Sequence, residues 1–269
     1  MKPLACKRQH AADPVTAIGQ GFTLAAVILC LAPVPLLIVV ATTVNWPLGF
    51  WAGGVTTNWL WQGWETVRPY ALFSLRLACT VLAIDLAVGL PAAWLIARHN
   101  FIGRQALMAL INLPLAIPGI AIALALILAY PAARASGLLL LLGQVIYTLP
   151  FLVATLVPAL AQAALIEREA VACTLGASAM QRLWYVTLPS IRSALLAALI
   201  LVFTLSMGEF NVSFFLFTPL NKTLPIELYS AYITNRVEVA AAITAIFLFF
   251  VVPAAIAIEW LGGSKIGQA

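Results

Sequence analysis

Two carboxylates, Asp85 and Glu209, lie deep inside long apolar runs of this 269-residue chain. An ionisable side chain at the centre of a bilayer costs roughly 2.5–3.5 kcal/mol on insertion scales, so each should face protein or water rather than lipid. On a continuous helix Ser206, Glu209 and Ser213 stand at i−3, i and i+4 and share one face, while Asn211 points elsewhere. Gln144, Thr148, Thr155 and Gln162 form a second polar stripe by the same spacing. Such stripes have two uses. They line a passage for a polar solute, or they bond helix to helix, as Ser, Thr and Gln commonly do in membrane bundles. Asp85, Ser206, Glu209 and Ser213 are the candidate path residues, with the carboxylates the more diagnostic members. Arg76 is more than two turns from Asp85 and a poor partner within one helix.

Hydrolytic and metal chemistry find no footing in the sequence. There is no Ser-His-Asp set, HExxH or P-loop, and the only histidines are His10 and His99. Cys6, Cys30, Cys79 and Cys173 are scattered without the paired spacing of a metal site or a disulfide framework. A non-catalytic protein with no cofactor and no metal is expected. Energy for transport would come from an ion gradient or from a separate ATPase.

The elements that must hold these residues are set by composition. The chain is 64% hydrophobic and 9% charged, against about 25% charged in a soluble domain, which places it in a lipid bilayer. Its net charge of +5 does not indicate nucleic acid, because the basic residues are spread thinly between apolar runs. A span takes about 20 mainly apolar residues, and six stretches qualify: 22–43, 70–97, 105–130, 137–161, 193–218 and 237–261. The first is longer than a signal-peptide core and lacks a clear cleavage site, so it reads as a retained span. Residues 1–21 and 262–269 are short tails, and 70–261 forms the core.

With six spans both termini share a side. Lys2, Lys7, Arg8, Arg98, Arg104, Arg168, Arg182, Arg192 and Lys265 fall there, and only Arg68, Arg134, Lys222 and Arg236 fall opposite. The positive-inside rule makes the richer side cytoplasmic. Trp46, Trp51, Trp59, Trp61 and Trp64 then occupy an outer loop, 44–69, as an interfacial belt or, on the competing reading, a ligand-stacking surface. Prolines 33, 35, 91, 114, 118, 150 and 158 punctuate the first four spans. They fit either kinked helices around a moving pathway or plain bundle packing.

The segment 165–189, within a cytoplasmic loop 164–192, has the grammar of two short helices joined by one glycine. Glu167 and Glu169 are expected in the first turn of the first helix, at the positive end of its dipole. Gly176 suits a left-handed end to that helix. Ser178 and Gln181 make a capping box for the second helix, and Pro189 closes it by removing a backbone donor.

This hook resembles the cytoplasmic loop of permease subunits from ABC importers. That family's pattern is Glu-Ala-Ala, three residues, Gly, nine residues, Ile, one residue, Leu-Pro. Gly176, Leu188 and Pro189 match in register, Val186 stands for Ile, and Ala170, Val171 and Ala172 occupy the Glu-Ala-Ala positions, with Glu169 one place earlier. Gly89-Leu-Pro-Ala-Ala-Trp-Leu-Ile-Ala-Arg98, Leu113-Pro-Leu-Ala-Ile-Pro118 and Thr148-Leu-Pro-Phe151 resemble spans two to four. Gly208-Glu-Phe-Asn-Val-Ser213, with Thr223-Leu-Pro-Ile-Glu-Leu-Tyr229, resembles the polyamine, thiamine, iron and oxyanion branch.

The resemblance implies an all-α, type I importer permease (MetI-like) with six transmembrane helices and cytoplasmic coupling helices, multi-pass in a bacterial inner membrane. Its implied partners are cytoplasmic ABC ATPase subunits, a second permease of the same or a related chain, and an external substrate-binding protein. Glu167, Glu169, Ala170, Ala172, Gly176, Ala177, Leu188 and Pro189 would meet the ATPase. Glu209 suggests a cationic solute, but the Gly-Glu-Phe run also resembles oxyanion permeases, so the carboxylate alone does not choose. The branch resemblance tilts the solute toward a spermidine- or putrescine-like or other small organic cation. The alternative class is an ion-coupled secondary transporter, or half-transporter, using Asp85 and Glu209.

Overall fold

A computed structural model describes residues 14–234 and 236–262. The expected tails, 1–21 and 262–269, fall mostly outside these residues. Helices dominate the described chain, with one isolated bridge, Thr43 to Val55.

The first stretch is α1 (Pro14–Leu31) followed by α2 (Pro33–Thr42), together an apolar span over Gly19–Thr42. Next comes α3 (Asn58–Arg98), a single helix of 41 residues containing Pro69 and Pro91. It begins well before the expected 70, so the outer loop ends at Thr57 and Trp59, Trp61 and Trp64 are helical. The reason lies in its buried face. Gly63, Val67, Ser74, Ala78, Val81, Asp85, Gly89, Ala93 and Ile96 are buried, spaced at turns of a 3.6-residue helix. A periodic inward stripe continues through the polar turns around Gln62, Glu65 and Arg68, which interrupt the hydropathy but not the packing.

The third stretch is two helices, α4 (Arg104–Ala116) and α5 (Gly119–Ala129), bent by 105°. Pro118 lacks an N–H and pushes Ile117 into an extended conformation (φ −100°, ψ 127°). Helix α6 (Leu138–Leu160) is the most thoroughly buried span and packs against α3 and against α10 (Arg192–Gly208). Between them lie α7 (Ala163–Thr174), α8 (Ala179–Arg182), a π-turn at Leu183–Thr187 and α9 (Leu188–Ser190).

The fifth stretch also departs from expectation. Helix α10 stops at Gly208, Glu209 is extended, and α11 (Ser213–Leu216) restarts after the break. Residues after 219 are not all loop: α12 (Leu224–Thr234) precedes α13 (Val237–Gly262). Among the described residues, three helices are long and apolar enough to cross a membrane. The number reaches five if each bent pair is one span, and Val237–Pro253 is a shorter apolar helix.

The largest core cluster joins α3, α6 and α10 through Val81, Ala93, Ile96, Leu152, Leu156, Leu160, Ala198 and Val202. A smaller one seats α2 on α13 through Val40, Ala41, Ala241 and Ala242. Close approach is enforced at Gly143 of α6, where a Cβ would lie 2.7 Å from both Leu216 Cδ1 and Val212 Cγ1.

Candidate functional site

The four candidate path residues do come together, by a route that a single helix face could not provide. The hydroxyl of Thr148 reaches Asp85 Oδ2 at 2.6 Å and the Gln144 carbonyl at 2.8 Å. Gln144 Nε2 donates to Ser213 Oγ (3.0 Å), and Ser206 Oγ donates to Gln144 Oε1 (2.6 Å). Ser213 Oγ donates to Glu209 Oε2 at 2.6 Å. Asp85, Gln144, Thr148, Ser206, Glu209 and Ser213 are all buried. They link α3, α6, α10 and the start of α11 into one hydrogen-bonded chain.

Glu209 plays an unexpected part in this chain. Its Oε1 accepts from the Val212 amide at 2.7 Å and its Oε2 from the Ser213 amide at 2.8 Å. The carboxylate thus satisfies amides that the break in the helix would leave orphaned, at the end of α11 where negative charge is favoured. Both oxygens are occupied inside the protein. Asn211 and Gly208, by contrast, are exposed at the break. Asp85 Oδ1 is buried and has no hydrogen-bond partner among the described residues.

Gln144 and Thr148 are therefore central, although the sequence marked them only as part of a stripe; two amide or hydroxyl groups amid an apolar span were the available signal. The rest of that stripe separates. Thr155 bonds the Phe151 carbonyl of its own helix, and Gln162 sits at the N-cap of α7.

The hook is built largely as its sequence indicates. Gly176 has φ +83°, its amide donates to the Cys173 carbonyl and the Ala177 amide to the Ala172 carbonyl, both at 3.0 Å. This is the Schellman arrangement, which closes the carbonyl end of α7. The capping box is complete, with Ser178 N donating to Gln181 Oε1 (2.8 Å) and Gln181 N to Ser178 Oγ (3.3 Å).

Two expectations need correction. Helix α7 starts at Ala163, so Glu167 and Glu169 lie beyond its first turn. The helical path also runs past Pro189 to Ser190, through the π-turn, before turning by 74° into α10. A proline cannot donate to the preceding turn, and the widened turn immediately before it accommodates that loss.

Glu169 faces inward. Its Oε1 accepts from Arg98 Nη2 at 2.9 Å and from Thr187 Oγ1 at 2.5 Å. Neither partner was singled out from the sequence, because each is paired only through the fold. Glu167, Ala170, Gly176 and Pro189 are exposed, and Ala172, Ala177 and Leu188 are half-buried. Around them the hook presents Val171, Leu175, Met180, Trp184 and Tyr185, all strongly exposed. A cavity of about 360 Å³ separates the hook from Leu90, Pro91 and Trp94 of α3.

A helical bundle interrupted by an exposed two-helix hook is the fold of type I importer permeases. An inward-facing structure of the MetNI methionine ABC transporter matches with a TM-score of 0.60 and 18% identity, over 75% of this chain and 96% of that one. A bacterial ABC transporter importing the acidic polysaccharide alginate matches with a TM-score of 0.55 and 16% identity, over 94% and 96%. Residues 89–265 match the family of binding-protein-dependent transport system inner membrane components, and the chain belongs to that family. The molybdenum transport system permease protein ModB of Mycobacterium tuberculosis is 30% identical over 243 residues, 84% of this chain and 87% of the relative. The sulfate transport system permease protein CysW of Escherichia coli is 34% identical over 152 residues, 51% and 52% of the two chains. The chain is thus a multi-pass membrane protein of a non-catalytic transport family, and an ion-coupled secondary transporter is not favoured.

Proposed function

We propose that this chain is the permease subunit of an ABC importer for a small oxyanion, with six crossings and both termini in the cytoplasm. The hook is the observation that carries this reading. Its capped helices hold Val171, Leu175, Met180, Trp184 and Tyr185 outward as a stiff apolar surface, suited to a groove on a cytoplasmic ATPase. The ATPase hydrolyses the nucleotide, a second permease of the same or a related chain completes the path, and an external binding protein delivers the solute. Glu167, Ala170, Ala172, Gly176, Ala177, Leu188 and Pro189 shape the docking surface or its supports.

The polyamine reading loses the support of Glu209, and the relatives do not favour it. Glu209 has both oxygens turned to the protein's own amides and to Ser213, which gives the carboxylate a structural use that needs no cationic solute. The relatives named for molybdenum and sulfate support an oxyanion instead. Asp85, Ser206, Glu209 and Ser213 then shape the path from behind, holding the break in span five rather than contacting the solute.

The test is uptake into right-side-out vesicles that carry the chain with its ATPase, with ATP supplied in the lumen and the binding protein outside. Molybdate or sulfate should enter only with ATP and should continue to enter when the proton gradient is collapsed. Uptake that ignores ATP and stops with the gradient would overturn the reading. Exposed Cys173 supplies a check on orientation: an impermeant maleimide should label it from the cytoplasmic side alone.

A further inference from the structure

We propose that Glu169 is a positioning residue that fastens the hook to α3, so that hook movement travels along α3 to the opposite face as well as through α10. The proposal rests on the permease reading above. One carboxylate oxygen joins three elements: the last residue of α3, the first hook helix and the π-turn of the second. The contact is sheltered, since the Arg98 side chain is 8% exposed and Thr187 is 3% exposed. Arg98 Nε is buried without a partner among the described residues, so the guanidinium is held chiefly through the Nη2 bond to Glu169.

The covalent exit from the hook into α10 is poorly suited to carrying a push alone. It turns by 74° at Ile191, and α10 stops at Gly208 before the next break. Helix α3 is continuous over 41 residues. Its Ser74 Oγ accepts the amide of Leu224, the first residue of α12, at 2.8 Å. The strut is therefore bonded at one end to the hook and, further along, to the helix on the far side. A carboxylate at position 170 would leave α7 about 100° away from Glu169 and could not take the same three-way position.

The experiment uses the complex purified with its ATPase, reconstituted in liposomes with loaded binding protein, and reads solute imported per ATP hydrolysed. Glu169→Gln should lower that ratio about tenfold, within the usual range for coupling between sites. The exchange of Glu169→Arg with Arg98→Glu should recover much of what Arg98→Glu alone loses. A wild-type ratio in Glu169→Gln, or an exchange no better than Arg98→Glu alone, overturns the proposal. Loss of the ATPase from the Glu169→Gln complex also overturns it, because the carboxylate would then be touching the ATPase. Should Glu169→Gln fail to accumulate, Thr187→Val decides: it keeps the ion pair, and an undiminished ratio there counts against the fastening. A wild-type complex without ATP-driven uptake overturns the permease reading instead.

Discussion

The hook and the buried polar network are held together in opposite ways. The hook's caps bond residues three to five apart in the chain, as in Ser178 with Gln181 and Ala177 with Ala172. The network has local bonds around Glu209 too, but the bonds that tie its helices together join residues 62 to 69 apart, as in Ser206 with Gln144 and Gln144 with Ser213. A hook shaped locally can keep its form while it moves as a body. The network exists only while four helical segments stay in register, so it reports and resists their displacement. Rigidity belongs to the first region by short-range chemistry and to the second by assembly.

Four substitutions separate these behaviours, the largest effect first. Glu209→Leu removes the acceptor of three bonds; at roughly 1.5 kcal/mol for each bond to a charged group, the loss is about 4.5 kcal/mol. Thermal unfolding in detergent should fall steeply, and a midpoint close to wild type would mean that the break is held by something else. Gly143→Val places a side chain against Leu216 and Val212, an overpacking expected to cost about 3 kcal/mol. The same unfolding measurement reads it, and here Gly143→Ala should already show part of the loss.

In the hook, effects are smaller on stability and larger on partnership. At Gly176 nothing lies within 4 Å of an added Cβ, so Gly176→Val acts through its positive φ alone, at about 1–3 kcal/mol. Membrane insertion should survive, while co-purification of the ATPase should be lost; an intact complex would count against the hook as docking element. Leu175 is 83% exposed, so Leu175→Ser should change stability by less than about 0.5 kcal/mol yet still weaken ATPase binding in a pull-down titration. Equal binding would remove Leu175 from the docking surface.

This difference also decides what could be read from sequence. Gly176, Ser178 and Gln181 were legible because each acts on neighbours within a turn. The apolar stretches were legible because lipid demands length. Glu209 misled: its spacing to Ser206 and Ser213 is right for a shared helix face, but the carboxylate competes for the amides of Val212 and Ser213 and opens the helix instead. Arg98 and Thr187 carried no signal beyond charge and polarity, since their partner Glu169 lies 71 residues from the first and 18 from the second. The start of α3 was missed because hydropathy averages over all faces, whereas the inward face alone holds that turn of helix in place.

The length of α3 has a consequence for the far surface. Forty-one residues at 1.5 Å each make a rod of about 60 Å, twice the ~30 Å hydrocarbon thickness. Even leaning by 40°, the upper end of the usual range, it projects about 46 Å along the bilayer normal, so roughly 15 Å stands clear of the oily layer. The apolar part begins near Tyr70, which makes the overhang the turns carrying Trp59, Trp61 and Trp64. A visiting protein on that side would meet a fixed post, with Trp61 69% exposed on its flank, rather than a pliant strand.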